Sequence, residues 1–334
     1  ISGIEFPLLV KKISLKNSNL TLNTGKQPLD FKNLNAEILN IEMNEQTVKN
    51  KTPFKMGSYR ISASNFNYRL SEFYNATVAS IYITDKKIDL KNLVVKPLVS
   101  RAQFVRRIPK ERDLYDLKIN QFTANGTWDF FSNTIHVDAN NVNINGMDAN
   151  IFRSKIPKDD LTEKLLYSSM LKTIKFPLFV GDFNINNSKL VYEEDTPKSD
   201  GPGKLIFNNF NLNAKNINSG KTAGKPTKIP IVIKCSMMNT MPLTVNWTFD
   251  TAKNDDQFSI SGYTGNMPAP QLNLFIEPYL KIRATGNISK LSFNFNGNRR
   301  TLNGSLKMAH QDLKVEVLKK EIPENTQNLF LWKM

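Results

Sequence analysis

The chain has 334 residues, 40% of them hydrophobic and 22% charged, which fits a folded protein and excludes a disordered one. Lys and Arg outnumber Asp and Glu by 45 to 30, so anionic partners are favoured; no RNA-binding signature or zinc-finger spacing accompanies the charge, which weighs against nucleic acid. The single Cys235 excludes an intrachain disulfide, and His136 and His310 stand apart without zinc-like neighbours, so no metal or cofactor is implied.

In chain order, the first apolar alternation is Ile13 and Leu15, followed by Leu20 and Leu22. Ile81 with Ile83 and Ile88 with Leu90 come next. Such alternation predicts strands with one buried and one wet face. A dense basic cluster follows: Arg101, Arg106, Arg107, Lys110 and Arg112. It reads as a solvated loop, and beside anionic head groups each residue would contribute about 1 kcal/mol. Leu161 to Ile174 has helical spacing, with Asp160 placed to cap it and Pro177 just beyond. Alternation resumes at Phe183, Ile185, Leu190 and Tyr192, then at Leu205, Phe207, Phe210 and Leu212. Leu272 to Leu280 reads equally as a short helix or an extended connection. Leu291, Phe293 and Phe295, then Leu313, Val315 and Val317, complete the series.

The breaks carry turn chemistry. Asn17-Ser18, Asn125-Gly126, Asn145-Gly146, Asn187-Ser188, Asn296-Gly297 and Asn303-Gly304 all suit tight reversals, because Asn and Gly tolerate positive φ. Meandering hairpins are the simplest topology this permits.

One segment recurs. Phe6-Pro7-Leu8-Leu9-Val10, continuing through Ile13, Leu15, Asn17, Ser18, Leu20 and Leu22, matches Phe176-Pro177-Leu178-Phe179-Val180 through Phe183, Ile185, Asn187, Ser188, Leu190 and Tyr192. After a turn containing Gly25 in one copy and Gly201 and Gly203 in the other, Leu29, Phe31, Asn33, Leu34 and Asn35 match Leu205, Phe207, Asn209, Phe210 and Asn211. Within each copy the apolar phase shifts once, at the Asn-Ser step, where a turn or bulge returns both pairs to one face. The expected organisation is therefore a first β unit over residues 1–160, a helical connection over 161–175, and a second β unit over 176–334 in a continuous sheet.

The succession Phe176-Pro177, Asn187-Ser188, Tyr192-Glu193-Glu194 and Leu205-Ile206-Phe207-Asn208-Asn209 resembles the C-terminal part of AsmA-like bacterial envelope proteins. Ile282 to Gly297, Gly304-Ser305-Leu306-Lys307-Met308, Asp312-Leu313-Lys314-Val315 and the stretch Ile151 to Pro157 extend the likeness over most of the chain. The resemblance implies a periplasmic body, an inner-membrane anchor outside this sequence, and kinship with chorein-type repeating β-groove proteins. It implies an all-β fold with minor helix: a long, bent, mostly antiparallel meandering sheet with an apolar concave face. The start at Ile1 and the apolar end at Phe330, Leu331 and Trp332 are read as those of a piece of a longer chain.

The expected function is non-enzymatic binding or transfer of phospholipid or another envelope lipid, in support of outer-membrane biogenesis. The nominated groove lining is Ile13, Leu15, Leu20, Leu22, Phe183, Ile185, Leu190, Tyr192, Leu291, Phe293 and Phe295. The basic cluster is nominated for head groups. Trp128, Trp247 and Trp332 suit core packing or an interface. The alternative is a structural or adhesive β-sandwich that binds other envelope proteins. The acidic runs Asp159-Asp160 and Glu193-Glu194-Asp195 read as solvated turns, and no nucleophile elbow, Walker loop or HExxH helix is present.

Overall fold

The alternating segments join into strands far longer than their individual apolar pairs suggest. The computed structural model describes residues 7–23, 28–50, 52–131 and 134–318. The strands are β1 (Leu8–Asn23), β2 (Pro28–Met43), β3 (Ser58–Arg69), β4 (Tyr74–Thr84), β5 (Lys87–Pro97), β6 (Arg112–Asp129), β7 (His136–Ser154), β8 (Leu178–Asp195), β9 (Gly203–Asn218), β10 (Lys228–Met237), β11 (Met241–Asp250), β12 (Phe258–Thr264), β13 (Met267–Pro268), β14 (Ile282–Gly297) and β15 (Leu302–Val317). Three short helices interrupt them: α1 (Arg101–Arg107), α2 (Tyr167–Thr173) and α3 (Asn273–Leu280).

All fifteen strands form one mixed sheet, in sequence order from β1 to β12 and then β14, with β13 and β15 both paired to β14. Every pairing is antiparallel except β7 with β8. At about 4.8 Å per strand, the sheet runs roughly 60 Å along its hydrogen-bonding direction. It does not close, and the substantial strand–strand contacts all run between hydrogen-bonded neighbours. Among the described residues no second sheet packs on it, so their architecture is a single β layer and not a sandwich.

The Asn steps have a different use from the expected one. Asn17-Ser18, Asn125-Gly126, Asn145-Gly146, Asn187-Ser188 and Asn303-Gly304 lie inside β1, β6, β7, β8 and β15; only Asn296-Gly297 ends a strand. They are not reversals. Positive φ serves a bulge as well as a turn. Asn17 (φ 45°), Asn33 (50°), Asn65 (52°), Asn92 (51°), Gly146 (63°), Asn187 (49°) and Asn209 (48°) are left-handed. The strand registers place them at one level, so they form a seam crossing the strands from β1 to β9. The register shifts at this level between β1 and β2, β2 and β3, and β8 and β9, as a bulge does, while the pairings from β3 to β8 pass the seam without a shift. At Gly146 the side chain of Asn120 on β6 occupies the space a Cβ would take.

The duplicated segments share much of this geometry. The Asn17 N–H donates to Asn35 Oδ1 at 3.0 Å, as the Asn187 N–H does to Asn211 Oδ1 at 3.0 Å. The Asn35 amide donates to the Asn33 carbonyl at 2.9 Å, as the Asn211 amide does to Asn209 at 2.7 Å. The Ser18 and Ser188 hydroxyls each donate to the carbonyl two residues back.

Helix is shorter than expected in one place and new in another. The predicted helix over Leu161 to Ile174 is confined to α2, and its N-cap is Leu166 without a side-chain cap. Asp160 instead accepts from the Thr162 N–H and pairs with Lys110. Leu272 to Leu280 does contain a helix, α3, with Pro278 inside it. The basic cluster begins not as a loop but as α1, started by a capping box in which the Ser100 hydroxyl accepts from the Gln103 N–H and the Gln103 side chain accepts from the Ser100 N–H.

Candidate functional site

One face of the sheet is apolar along its whole length. In one row of cross-strand partners, Leu15, Ala36, Ile61, Ile83, Ile88 and Ala124 lead from β1 to β6. Val142, Phe183, Ala214, Ile231, Trp247, Ile260 and Phe295 carry the same row to β14. A second row begins at Ala63, Ile81, Leu90, Phe122 and Ile144 and continues through Ile185, Leu212, Ile233 and Val245. At Gly262 and Gly304 the rings of Phe293 and Phe295 lie where a Cβ would be, 2.5 and 2.4 Å from it, so glycine is required beneath these aromatics. Beyond the seam, Val78, Leu93, Leu117, Ala149, Leu190 and Phe207 extend the apolar face toward the other end of the strands.

Burial along these rows is uneven: Ala63, Ile81, Ala124, Val142, Ala214, Ile231 and Val245 are buried, whereas several of the larger side chains between them are incompletely covered. Ile61, Ile83, Phe122, Ile144, Ile185 and Leu212 are all only half-buried although they sit mid-sheet. A closed core would bury them fully. The opposite face is polar over β6 to β9, where amides pair across strands: Asn125 donates to Asn141, Asn184 to Asn143, Asn213 to Asn184 and Asn186 to Asn145, at 2.7 to 3.1 Å.

The parallel β7–β8 pairing forces a crossover, because the chain must return from the end of β7 to the start of β8. Residues 155–177 make this return over the apolar face. Leu171 packs with Ile229, Ile231 and Phe249, and the Tyr167 ring stands edge-on to Trp247, with centroids 4.9 Å apart. The crossover also reveals curvature. Lys164 pairs with Glu111, just before β6, at 3.2 Å, while Leu166 borders the same pocket as Trp247. In a flat sheet Glu111 and Trp247 would be about 50 Å apart, from thirteen residues along the strand and five strands across. Three residues from Lys164 to Tyr167, with the Lys164–Glu111 pair at one end and the Tyr167–Trp247 ring contact at the other, span at most about 36 Å. The sheet therefore curls over its apolar face, making that face a concave groove bridged by residues 155–177.

The margin near the β7 end is polar and tyrosine-rich. Arg153 pairs with Asp113 at 2.6 Å, and the Tyr115 hydroxyl donates to Asp113 at 3.0 Å. Burial, with the Asp113 charge beside it, pushes the Tyr115 hydroxyl up to about 12. Glu194 accepts from Tyr192 and from Tyr279, and pairs with Lys155 at 2.7 Å. Although burial opposes ionisation, the bonds from Lys155, Tyr192 and Tyr279 hold Glu194 below the usual carboxylate range.

All eleven nominated lining residues lie on the apolar face. Ile13, Leu15, Leu20 and Leu22 are on the edge strand β1, where Ile13 is 50% exposed. Phe183, Ile185 and Leu190 sit mid-sheet, Tyr192 lies at the polar margin, and Leu291, Phe293 and Phe295 are on β14. The alternations at Ile81, Ile83, Ile88, Leu90, Phe207 and Leu212 belong to the same face and are as much part of the groove. The buried thiol of Cys235 also lies on this face, at the seam, and burial pushes it up to about 11.

The basic cluster does not converge on the groove. Arg101 lies on the convex side, paired with Glu193 and with its guanidinium 4.6 Å from the Phe152 ring centroid. It belongs to α1, whose fully buried Phe104 anchors it against Phe73, Ile108, Leu114 and Phe152. Arg106 donates to the Ala102 carbonyl. Arg107 and Arg112 are exposed, and Lys110 pairs with Asp160 of the crossover at 3.3 Å. Trp128 is buried, its indole donating to the Tyr59 hydroxyl at 3.0 Å and the Thr84 carbonyl at 3.2 Å. Trp332 lies outside the described residues.

Among the described residues no helix is long and apolar enough to cross a membrane. Compared with models of protein families and with characterised proteins, the chain matches none.

Proposed function

We propose that this chain holds lipid acyl chains in its groove, as a non-enzymatic module of a bacterial cell envelope. The observation that carries the reading is the pair of apolar rows, which stay in register across the sheet without a second layer to cover them. Acyl chains laid there would gain about 0.8 kcal/mol per buried methylene, so affinity needs no specific polar contact. If the AsmA-like resemblance holds, it implies a periplasmic module, anchored to the inner membrane through chain outside this sequence, with phospholipid or another envelope lipid as cargo. The single-layer architecture favours this reading over an adhesive sandwich.

The test is extraction of the purified protein with organic solvent followed by lipid mass spectrometry. Phospholipid should be recovered from the wild type and lost from an Ile144→Glu, Leu212→Glu variant, which puts two charges into the second row. A wild-type protein that carries no lipid, and moves no fluorescent phospholipid between vesicles, would exclude the reading.

A further inference from the structure

The groove is not uniform. At its β10–β12 end, α2 roofs a cavity of about 270 Å3 bounded by Tyr167, Trp247, Phe249, Phe258 and Ile260. Two polar residues, Ser168 and Asp256, also border it, but the Ser168 hydroxyl donates to Asp256 at 2.8 Å, so each engages the other. The walls otherwise offer hydrocarbon and ring faces. A cavity of about 150 Å3 lined by Leu, Ile and Phe already stays dry and takes an apolar guest. The larger hollow nearby, about 490 Å3, is bordered by Lys228, Asp250, Asn296 and Asn303 and has a mixed polar lining unsuited to an alkyl chain.

The roof is held by a specific device. A seven-residue helix has little stability of its own. Asp256, fully buried in the β11–β12 loop, gathers Ser168, Ser169 at 2.5 Å and Lys172 at 2.6 Å from α2, and Arg299 from the β14–β15 loop. Arg299 also donates to the Ser169 hydroxyl at 2.7 Å. This latch fixes α2 over the cavity, and the floor residues Trp247 and Ile260 belong to the first apolar row, so the cavity continues the groove.

We infer that the cavity beneath α2 is a subsite for the terminal segment of one aliphatic chain, with the Asp256 cluster as the latch that keeps its roof in place. The inference rests on the lipid-holding reading and adds a direction to it: the tail end of a chain lies at α2, and its carboxyl or head-group end lies outside the cavity.

Two photoreactive dodecanoic acids test this, one with a diazirine at the terminal carbon and one with it beside the carboxyl group. After irradiation with full-length protein, adducts are mapped by peptide mass spectrometry. The terminal probe should label residues 166–171 and 247–260 saturably, and the carboxyl-proximal probe should not. Ile260→Trp, which fills the cavity, should lower those adducts about tenfold, the factor expected from losing two buried methylenes, with the circular dichroism spectrum unchanged. Terminal-probe adducts at Ile83, Ile144 and Leu212 with none beneath α2 would overturn the subsite and leave the groove reading intact. Absence of saturable labelling anywhere would overturn both.

Discussion

The two copies of the duplicated segment, β1–β2 and β8–β9, have the same bulge, register and amide hydrogen bonds, yet different surroundings. Copy one is at the sheet edge, where Ile13, Leu15 and Leu22 are 50%, 41% and 41% exposed. Copy two is in the middle, where Phe183 touches the clusters on both sides and α2 crosses above. The backbone geometry is local and travels with the sequence; burial comes from neighbours and does not. Equivalent substitutions should therefore have equal local but unequal global effects.

The largest effect should come from the latch beside copy two, which ties α2 to the β11–β12 and β14–β15 loops and has no counterpart beside copy one among the described residues. Asp256→Ala leaves Lys172 and Arg299 without their shared carboxylate. Because both cations are partly exposed and can rehydrate, we expect about 2–3 kcal/mol, less than for a wholly buried pair. Although burial alone would raise it, the bonds from Lys172, Ser169, Ser168 and Arg299 drive the Asp256 carboxyl well below its ordinary value. A folded-state depression stabilises above the unfolded value, about 3.9, and the gain is lost as pH falls below it. Urea midpoints measured from pH 6 down to pH 3 should fall for the wild type more steeply than for Asp256→Ala. Parallel curves would remove Asp256 from the account.

Next in size is the lining itself. Phe183→Ala should cost about 2 kcal/mol, below the range for fully buried Phe because the ring is half-exposed to the groove. Its counterpart Ile13→Ala should cost about 0.5 kcal/mol, since an exposed edge residue loses little burial. Denaturant unfolding of the two variants decides it; equal losses would mean that the β1 edge is covered in solution.

Strand character and the shared segment were legible because alternation and the Asn-Ser step are local signals. Strand length was not, because Asn-Gly and Asn-Ser satisfy a reversal and a bulge by the same positive φ, and only the partner strand decides between them. At Asn125-Gly126 the backbone is not left-handed at all, and the glycine answers a different demand: a Cβ on Gly126 would come within 2.4 Å of the Asp138 carbonyl on β7, a cross-strand fact absent from the local sequence. The helix α1 was legible in principle, since Ser100 and Gln103 have capping-box spacing, although the run of arginines beside them suits a solvated loop equally well. The nominated lining fell on one face because phase follows from alternation. The concavity depended on contacts such as Lys164 with Glu111, which no periodicity encodes.

The smallest effect probes the seam and tests whether the sheet unfolds as one body. At Asn187 a left-handed backbone with a Cβ costs Ala about 1 kcal/mol more than Gly, which has no such clash. Asn187→Ala should thus be about 1 kcal/mol less stable than Asn187→Gly. At Asn17 the local strain is the same, since its φ of 45° matches the 49° of Asn187. However, β1 has a partner on one side only and can detach before the rest unfolds. Asn17→Ala should then raise amide exchange along β1 and β2 while leaving the global urea midpoint within about 0.3 kcal/mol of Asn17→Gly. An equal global loss at both positions would show that the edge is bound to the whole sheet cooperatively, and that the two copies differ in exposure without differing in stability.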